Sequence, residues 1–364
     1  ITLAGAGSGV GGTALTSAAG AATPVISVTG SGLDASNKLT IKDVSMVGTS
    51  DTSGSDGIAI YGDTPSAYVS VDNVNIATHG VGVHYRSGTI SNVSVTNSTL
   101  SGNGFGVRVA SAVTSMDGMT IDGCTMNGNN SSAISTNPSG TTTNVNTNFV
   151  VSNSTFTGNG TANLSNMHDL SFFGFHGNAA LSNVTVTAGN GTAKYGNGYG
   201  IVFTNGSGRA ALGTVSLSNV TVQGFVGKGA LTFQLYNDVS GVSMSGVTLK
   251  GCVAPWGDLV VDSTGAAALN AGDTALKSVV LWNAGGVNAT GAGFYASTSA
   301  STAYDRAVLA DNFSIANQVV DVVDSAGLGL VRTTAGKIYV SAASAAGFYR
   351  AIGAASRCSG CSTR

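Results

Sequence analysis

Apolar and polar residues alternate along most of this chain in short runs that end on Gly or Asn. The stretch VTNSTLSGNGFGVRV, residues 95–109, shows the pattern most fully. Val95, Leu100, Val107 and Val109 supply apolar positions, Thr96, Ser98, Thr99 and Ser101 supply β-compatible polar ones, and Gly102-Asn103-Gly104 supplies the positive φ angles of a sharp corner. A spacing of two predicts strands on either side of a tight turn and no helix.

The pattern repeats. The triplet that begins at Asn97 recurs at Asp43, Asn73, Gly123, Asn153, Asn183, Asn219 and Gly246, with steps of 30, 24, 26, 30, 30, 36 and 27 residues. Three residues after the start of each triplet comes an apolar residue: Met46, Ile76, Leu100, Met126, Phe156, Val186, Val222 and Leu249. Turns follow at Gly128-Asn129, Gly158-Asn159-Gly160 and Gly189-Asn190-Gly191, and further strands at residues 57–61, 80–84, 104–109 and 200–203. A period of about 20 to 50 residues marks an array of stacked units, and the variable step favours a solenoid, in which loops bulge from a corner without breaking the stack. Each coil then holds two or three short strands, stacked about 4.8 Å apart into parallel sheets. Asn at a repeated corner fits that arrangement, because side-chain amides in register hydrogen-bond along the axis and tolerate left-handed geometry.

The phrases LTIKDVSMVG (residues 39–48), VSNSTFTGNG (151–160), LSNVTVTAGNG (181–191) with NGYGIVF (197–203), and LSNVTVQG (217–224) resemble the repeat of the pectin-lyase-like superfamily. The resemblance implies an all-β fold, a right-handed parallel β-helix over residues 1–265, and leaves function open, since that superfamily holds lyases, hydrolases, epimerases, phage tailspikes and non-catalytic surface proteins. Residues 266–364, where the repeat fades, are expected to form a small C-terminal β-rich module with a polar, Cys-containing tail. A module there would close the end of a solenoid, which otherwise exposes unpaired strands. The aromatic cluster Phe172, Phe173 and Phe175 lies in a longer excursion and is expected to pack beneath it.

Composition narrows the classes. Of 364 residues, 53 are Gly and 9% are charged; every acidic residue is Asp, and the net charge is −2. Such a chain has no basic footprint for nucleic acid. No apolar run is long enough for a membrane span. A start at Ile1 without Met fits a processed chain, so the expected place is extracellular, at the cell surface or on a virion. The N-x-[ST] sequons at Asn92, Asn97, Asn153, Asn183 and Asn219 fall on the repeat itself and are read as corner chemistry. Cys124 and Cys252 lie four coils apart, about 19 Å, and cannot bridge each other. Cys358 and Cys361 form a lone CxxC, half a zinc site at best, and are candidates for a local or inter-subunit disulfide; no metal site is predicted.

Candidate chemistry is sparse. With no Glu, glycoside hydrolysis would need paired Asp, and the Asp residues stand singly. Thr78-His79-Gly80 and Phe175-His176-Gly177 are the nearest fragments to a catalytic phrase. Aligning Ile60-Tyr61, Val83-His84 and Val107-Arg108 puts Tyr61, His84 and Arg108 on one outer face, with Tyr85 and Arg86 beside them as glycan-binding candidates and Asp63 and Asp72 near in sequence. An aromatic ring, an imidazole and guanidinium groups suit an acidic sugar chain. A polysaccharide lyase would use them with a base and a charge-neutralising group, Ca²⁺ among the options. Two functions follow as expectations. One is a non-catalytic extracellular structural protein, a homo-oligomer or polymer that self-associates into a filament, layer or fibre. The other is a carbohydrate-active β-helix protein, a lyase or tailspike, acting on an acidic polysaccharide.

Overall fold

The computed structural model describes residues 1–250 except 10, 18–22, 50–54, 137–145, 161–167, 174–176, 189–194, 205–213, 226, 236–241 and 246. Beyond 250 it describes the backbone of eight strands between Leu259 and Val340. Up to Phe294–Ser297 the described strands form a right-handed parallel β-helix, and no helix occurs among the described residues.

Each coil carries three strands, and each strand pairs in parallel with its counterpart one coil on. Three columns of inward side chains result. The first runs Leu3, Ile41, Val71, Val95, Ile121, Val151, Leu181 and Leu217. The second runs Leu15, Met46, Ile76, Leu100, Met126, Phe156, Val186 and Val222. It is the apolar series that follows the Asn97-type triplets, found in register as expected. The third runs Ile26, Ile58, Val83, Val107, Ile134, Leu170, Ile201 and Leu231. From Ile41, Met46 and Ile58 onward these side chains are at most 1% exposed. Each contributes about 2 kcal/mol of burial, and the series together makes one continuous core. Phe172 joins that core, stacked on Phe203 at 4.6 Å and edge-on to Phe149 at 5.2 Å. It lines the solenoid interior and not a satellite cluster; the side chains of Phe173 and Phe175 lie outside the described residues.

The corners explain the Asn and Gly. Asp43, Asn73, Asn97, Asn153, Asn183 and Asn219 all have φ between 48° and 56°, and Gly123 takes the same place at 62°. Their side chains form a ladder on the outside: Asn73 donates to Asp43 at 2.7 Å, Asn97 to Asp72 at 2.9 Å, Asn153 to Asp122 at 2.8 Å, Asn183 to Asn153 at 3.0 Å and Asn219 to Asn183 at 3.2 Å. A second ladder is internal. Asn103, Asn129 and Asn159 are fully buried; the Asn103 and Asn129 backbone N–H groups donate to Asn129 Oδ1 and Asn159 Oδ1 in turn, while the three amides donate to the carbonyls of Ile76, Leu100 and Met126. The His79 backbone N–H continues it, donating to Asn103 Oδ1 at 3.0 Å. Thr78-His79-Gly80 is therefore the end of a structural ladder. Space for these amides comes from Gly106, where a Cβ would sit 3.3 Å from Asn129 Nδ2 and 2.6 Å from the Ala133 carbonyl.

Parallel pairing continues past residue 265. Val279–Trp282 stacks on Val247–Lys250, and Phe294–Ser297 on Leu259–Ser263. The direction then changes, as Arg306–Ala307 and Phe313–Ser314 pair antiparallel with those last coils. Val319–Val323, Leu330–Thr333 and Ile338–Val340 form a separate antiparallel sheet of three strands. Cys252, Cys358 and Cys361 lie outside the described residues. Cys124 is a buried free thiol, occupying the corner place held by Ser98 and Ser154 in neighbouring coils.

Candidate anion-binding site

The third strand of each coil turns alternate residues outward. Parallel register sets Ala59, His84, Arg108 and Ser135 side by side on that face. At its edge Asp56 begins the strand Asp56–Ala67, one coil before His84. The Asp56 side chain is 1% exposed and binds two partners through Oδ2: His84 Nδ1 at 3.0 Å and Arg86 Nε at 2.7 Å. The short contact to a guanidinium is charge-assisted, which is how a carboxylate survives such burial. It holds the Arg86 guanidinium above its ordinary pKa range.

Arg108 lies over the Phe105 ring, 4.6 Å from its centroid, a cation–π contact that leaves the edge of the guanidinium free. It makes no ion pair among the described residues. Burial lowers its pKa, Asp56 opposes that, and Arg86 adds to it, so the two guanidinium groups feel each other. Arginine stays charged through such shifts. Asp56, Arg86 and Arg108 bring one carboxylate and two guanidinium groups together, a surplus of one positive charge among the three.

The predicted site residues divide. His84, Arg86 and Arg108 are brought together. Tyr61 is not in the His84–Arg108 column, because the register sets Ala59, two residues earlier, against His84, and a bulge after Ile60 then pairs Tyr61 with Ser87; its half-buried phenol still lies within electrostatic reach of Arg86. Tyr85 is a correction. It points into the core, 0% exposed and in register with Ile60 and Val109, and burial pushes its phenol well above the usual range, so it cannot touch a glycan. Asp56 was not legible as a member of the site, lying 28 and 30 residues from its partners; Asp63 and Asp72 are not bonded to it. His84 Nε2 is buried with no partner among the described residues, as is Asp56 Oδ1. An imidazole enclosed this way orients the cluster and offers no exposed base.

A Ca²⁺ ion asks for six to eight oxygen ligands. The cluster brings one carboxylate, already held by a guanidinium. Among the described residues no group of three metal-ligating side chains occurs, and no helix is long and apolar enough to cross a membrane.

The fold and site define a parallel β-helix in which Asp56, His84, Arg86 and Arg108 cluster on the third sheet. Two solved structures resemble the chain. The pectate lyase Pel9A shares 15% identity at a TM-score of 0.40, over 76% of this chain and 66% of that one. Tailspike protein 3 of bacteriophage CBA120 shares 11% identity at a TM-score of 0.24, over 90% of this chain and 58% of its own. This chain therefore spans less than two thirds of the length of either. No protein-family model and no curated protein matches it.

Proposed function

We propose that this protein is an extracellular, non-catalytic β-helix that holds an acidic polysaccharide against the outer face of its third sheet. The observation that carries this reading is Arg108: a half-buried guanidinium, seated on Phe105 and within electrostatic reach of Arg86, with no carboxylate paired to it among the described residues. A uronate carboxylate supplies the missing partner, and Arg is the side chain suited to take it bidentately. Tyr61 and Arg86 extend the contact across the neighbouring coil. The enclosed His84 Nε2 and the single carboxylate at the site favour binding over cleavage. No cation is needed in this reading, and it is independent of self-association.

The test is affinity electrophoresis of the purified chain in gels containing polygalacturonate or a neutral glucan. Retardation by polygalacturonate alone is expected, with Arg108→Ala weakening it at least tenfold and added salt weakening it further. Equal mobility in both gels would reject the reading. New unsaturated ends in the polygalacturonate, followed by ultraviolet absorbance, would replace it with a lyase, and His84→Ala would then be the first variant to assay.

A further inference from the structure

We infer that Asp56, a residue with no access to solvent, sets the specificity of this site for a singly charged carboxylate over a doubly charged phosphomonoester. The inference rests on the anion-binding reading and deepens it by naming what the anion is.

The argument is one of charge and geometry. Asp56 Oδ2 occupies Arg86 Nε at 2.7 Å, which leaves the two terminal nitrogens of Arg86 and the free edge of Arg108 as donors. With −1 on Asp56 and +1 on each arginine, one carboxylate brings the cluster to zero. A phosphomonoester, close to −2 above its second pKa of about 6, leaves it at −1. That extra charge would stand near a carboxylate whose side chain is 1% exposed and whose Oδ1 has no donor among the described residues. Buried like charges repel far more strongly than solvated ones. Discrimination against the dianion is therefore built from a repulsive element behind the arginines, and ligand contacts alone do not supply it. Asp56 is a positioning residue in one respect, fixing Arg86 and the His84 ring, and a specificity determinant in the other.

The experiment compares galacturonate with galactose 6-phosphate, matched sugars of one and about two negative charges, by isothermal titration at pH 7.5, for the wild-type chain and Asp56→Asn. Wild type is expected to prefer the carboxylate by roughly tenfold or more, the size of effect that one unscreened charge produces. The amide keeps an acceptor for Arg86 while raising the cluster to +2, so Asp56→Asn should tighten phosphomonoester binding and erase or invert the ratio. If Asp56→Asn weakens both ligands equally, Asp56 only orients its neighbours and the inference fails. It fails also if the ratio does not move. Should the variant not fold, the wild-type ratio decides alone: a preference below twofold overturns the inference while leaving anion binding intact. A wild-type chain that binds neither ligand rejects the anion-binding reading itself.

Discussion

At His79 both ring nitrogens are buried without a hydrogen-bond partner among the described residues, and burial lowers the imidazole pKa against a smaller opposing pull from Asp56. The native state then holds fewer protons than the unfolded chain, whose histidine titrates near 6.5. Stability from this group is present above about pH 6.5 and is lost as the pH falls through the depressed folded value. His79→Asn would extend the internal Asn ladder by one rung. Melting curves between pH 7.5 and 5 should fall for the wild-type chain and flatten for the variant; parallel curves would show that His79 is not the sensor. Asp169 acts in the opposite sense. It is fully buried, its carboxyl pKa is raised by that burial, and the adjoining Asn159 offsets only part of the shift. The stability it allows is present below about pH 4 and is lost as the pH rises through its folded value.

Single strands and corners obey two different constraints on glycine. Gly128 has φ of 63° with open space where a Cβ would go, so it is there for the left-handed corner. Gly106 has no such angle and is there for room: its Cβ would meet the Ala133 carbonyl at 2.6 Å and the Met126 sulfur at 3.0 Å. The substitutions Gly128→Asn and Gly106→Ala should therefore separate. The first should change unfolding free energy by less than about 0.5 kcal/mol, as Asn tolerates that conformation. The second should cost about 1–3 kcal/mol by overpacking. Urea denaturation of the two variants makes the comparison, and equal costs would contradict the distinction.

Across the whole molecule each coil touches chiefly the coils before and after it, so stability should behave as a sum of local terms. Ile76 and Val186 occupy the same column four coils apart, about 19 Å, through Leu100, Met126 and Phe156. Ile76→Ala is expected to cost about 2–5 kcal/mol and Val186→Ala a comparable amount. Combined, the two should add to within about 0.5 kcal/mol, whereas Ile76→Ala with Leu100→Ala, adjacent in the column, should not. Non-additivity for the distant pair would mean that the solenoid responds as a single rigid body.

The sequence by itself determined the repeat, the class of fold and the corners. Asn, Asp and Gly are the residues that accept positive φ, so a column of them at a regular step is visible without coordinates, and the apolar residue three places on is carried along with it. The same logic identified the sequon asparagines as corner residues, and the outer ladder of amides from Asn73 to Asn219 bears that out. Tertiary structure alone decided the site. A short strand admits alternative alignments with its neighbour, and the one adopted sets Ala59, two residues before Tyr61, against His84. Tyr85 was obscured by its polar tip, although a spacing of two from Val83 sends it inward. Asp56 meets His84 and Arg86 only because the intervening chain completes one turn of the solenoid, which converts a separation of about 30 residues into a hydrogen bond. Local backbone preference writes itself into residue type at every coil; a single contact between coils is made once, and leaves no pattern to read.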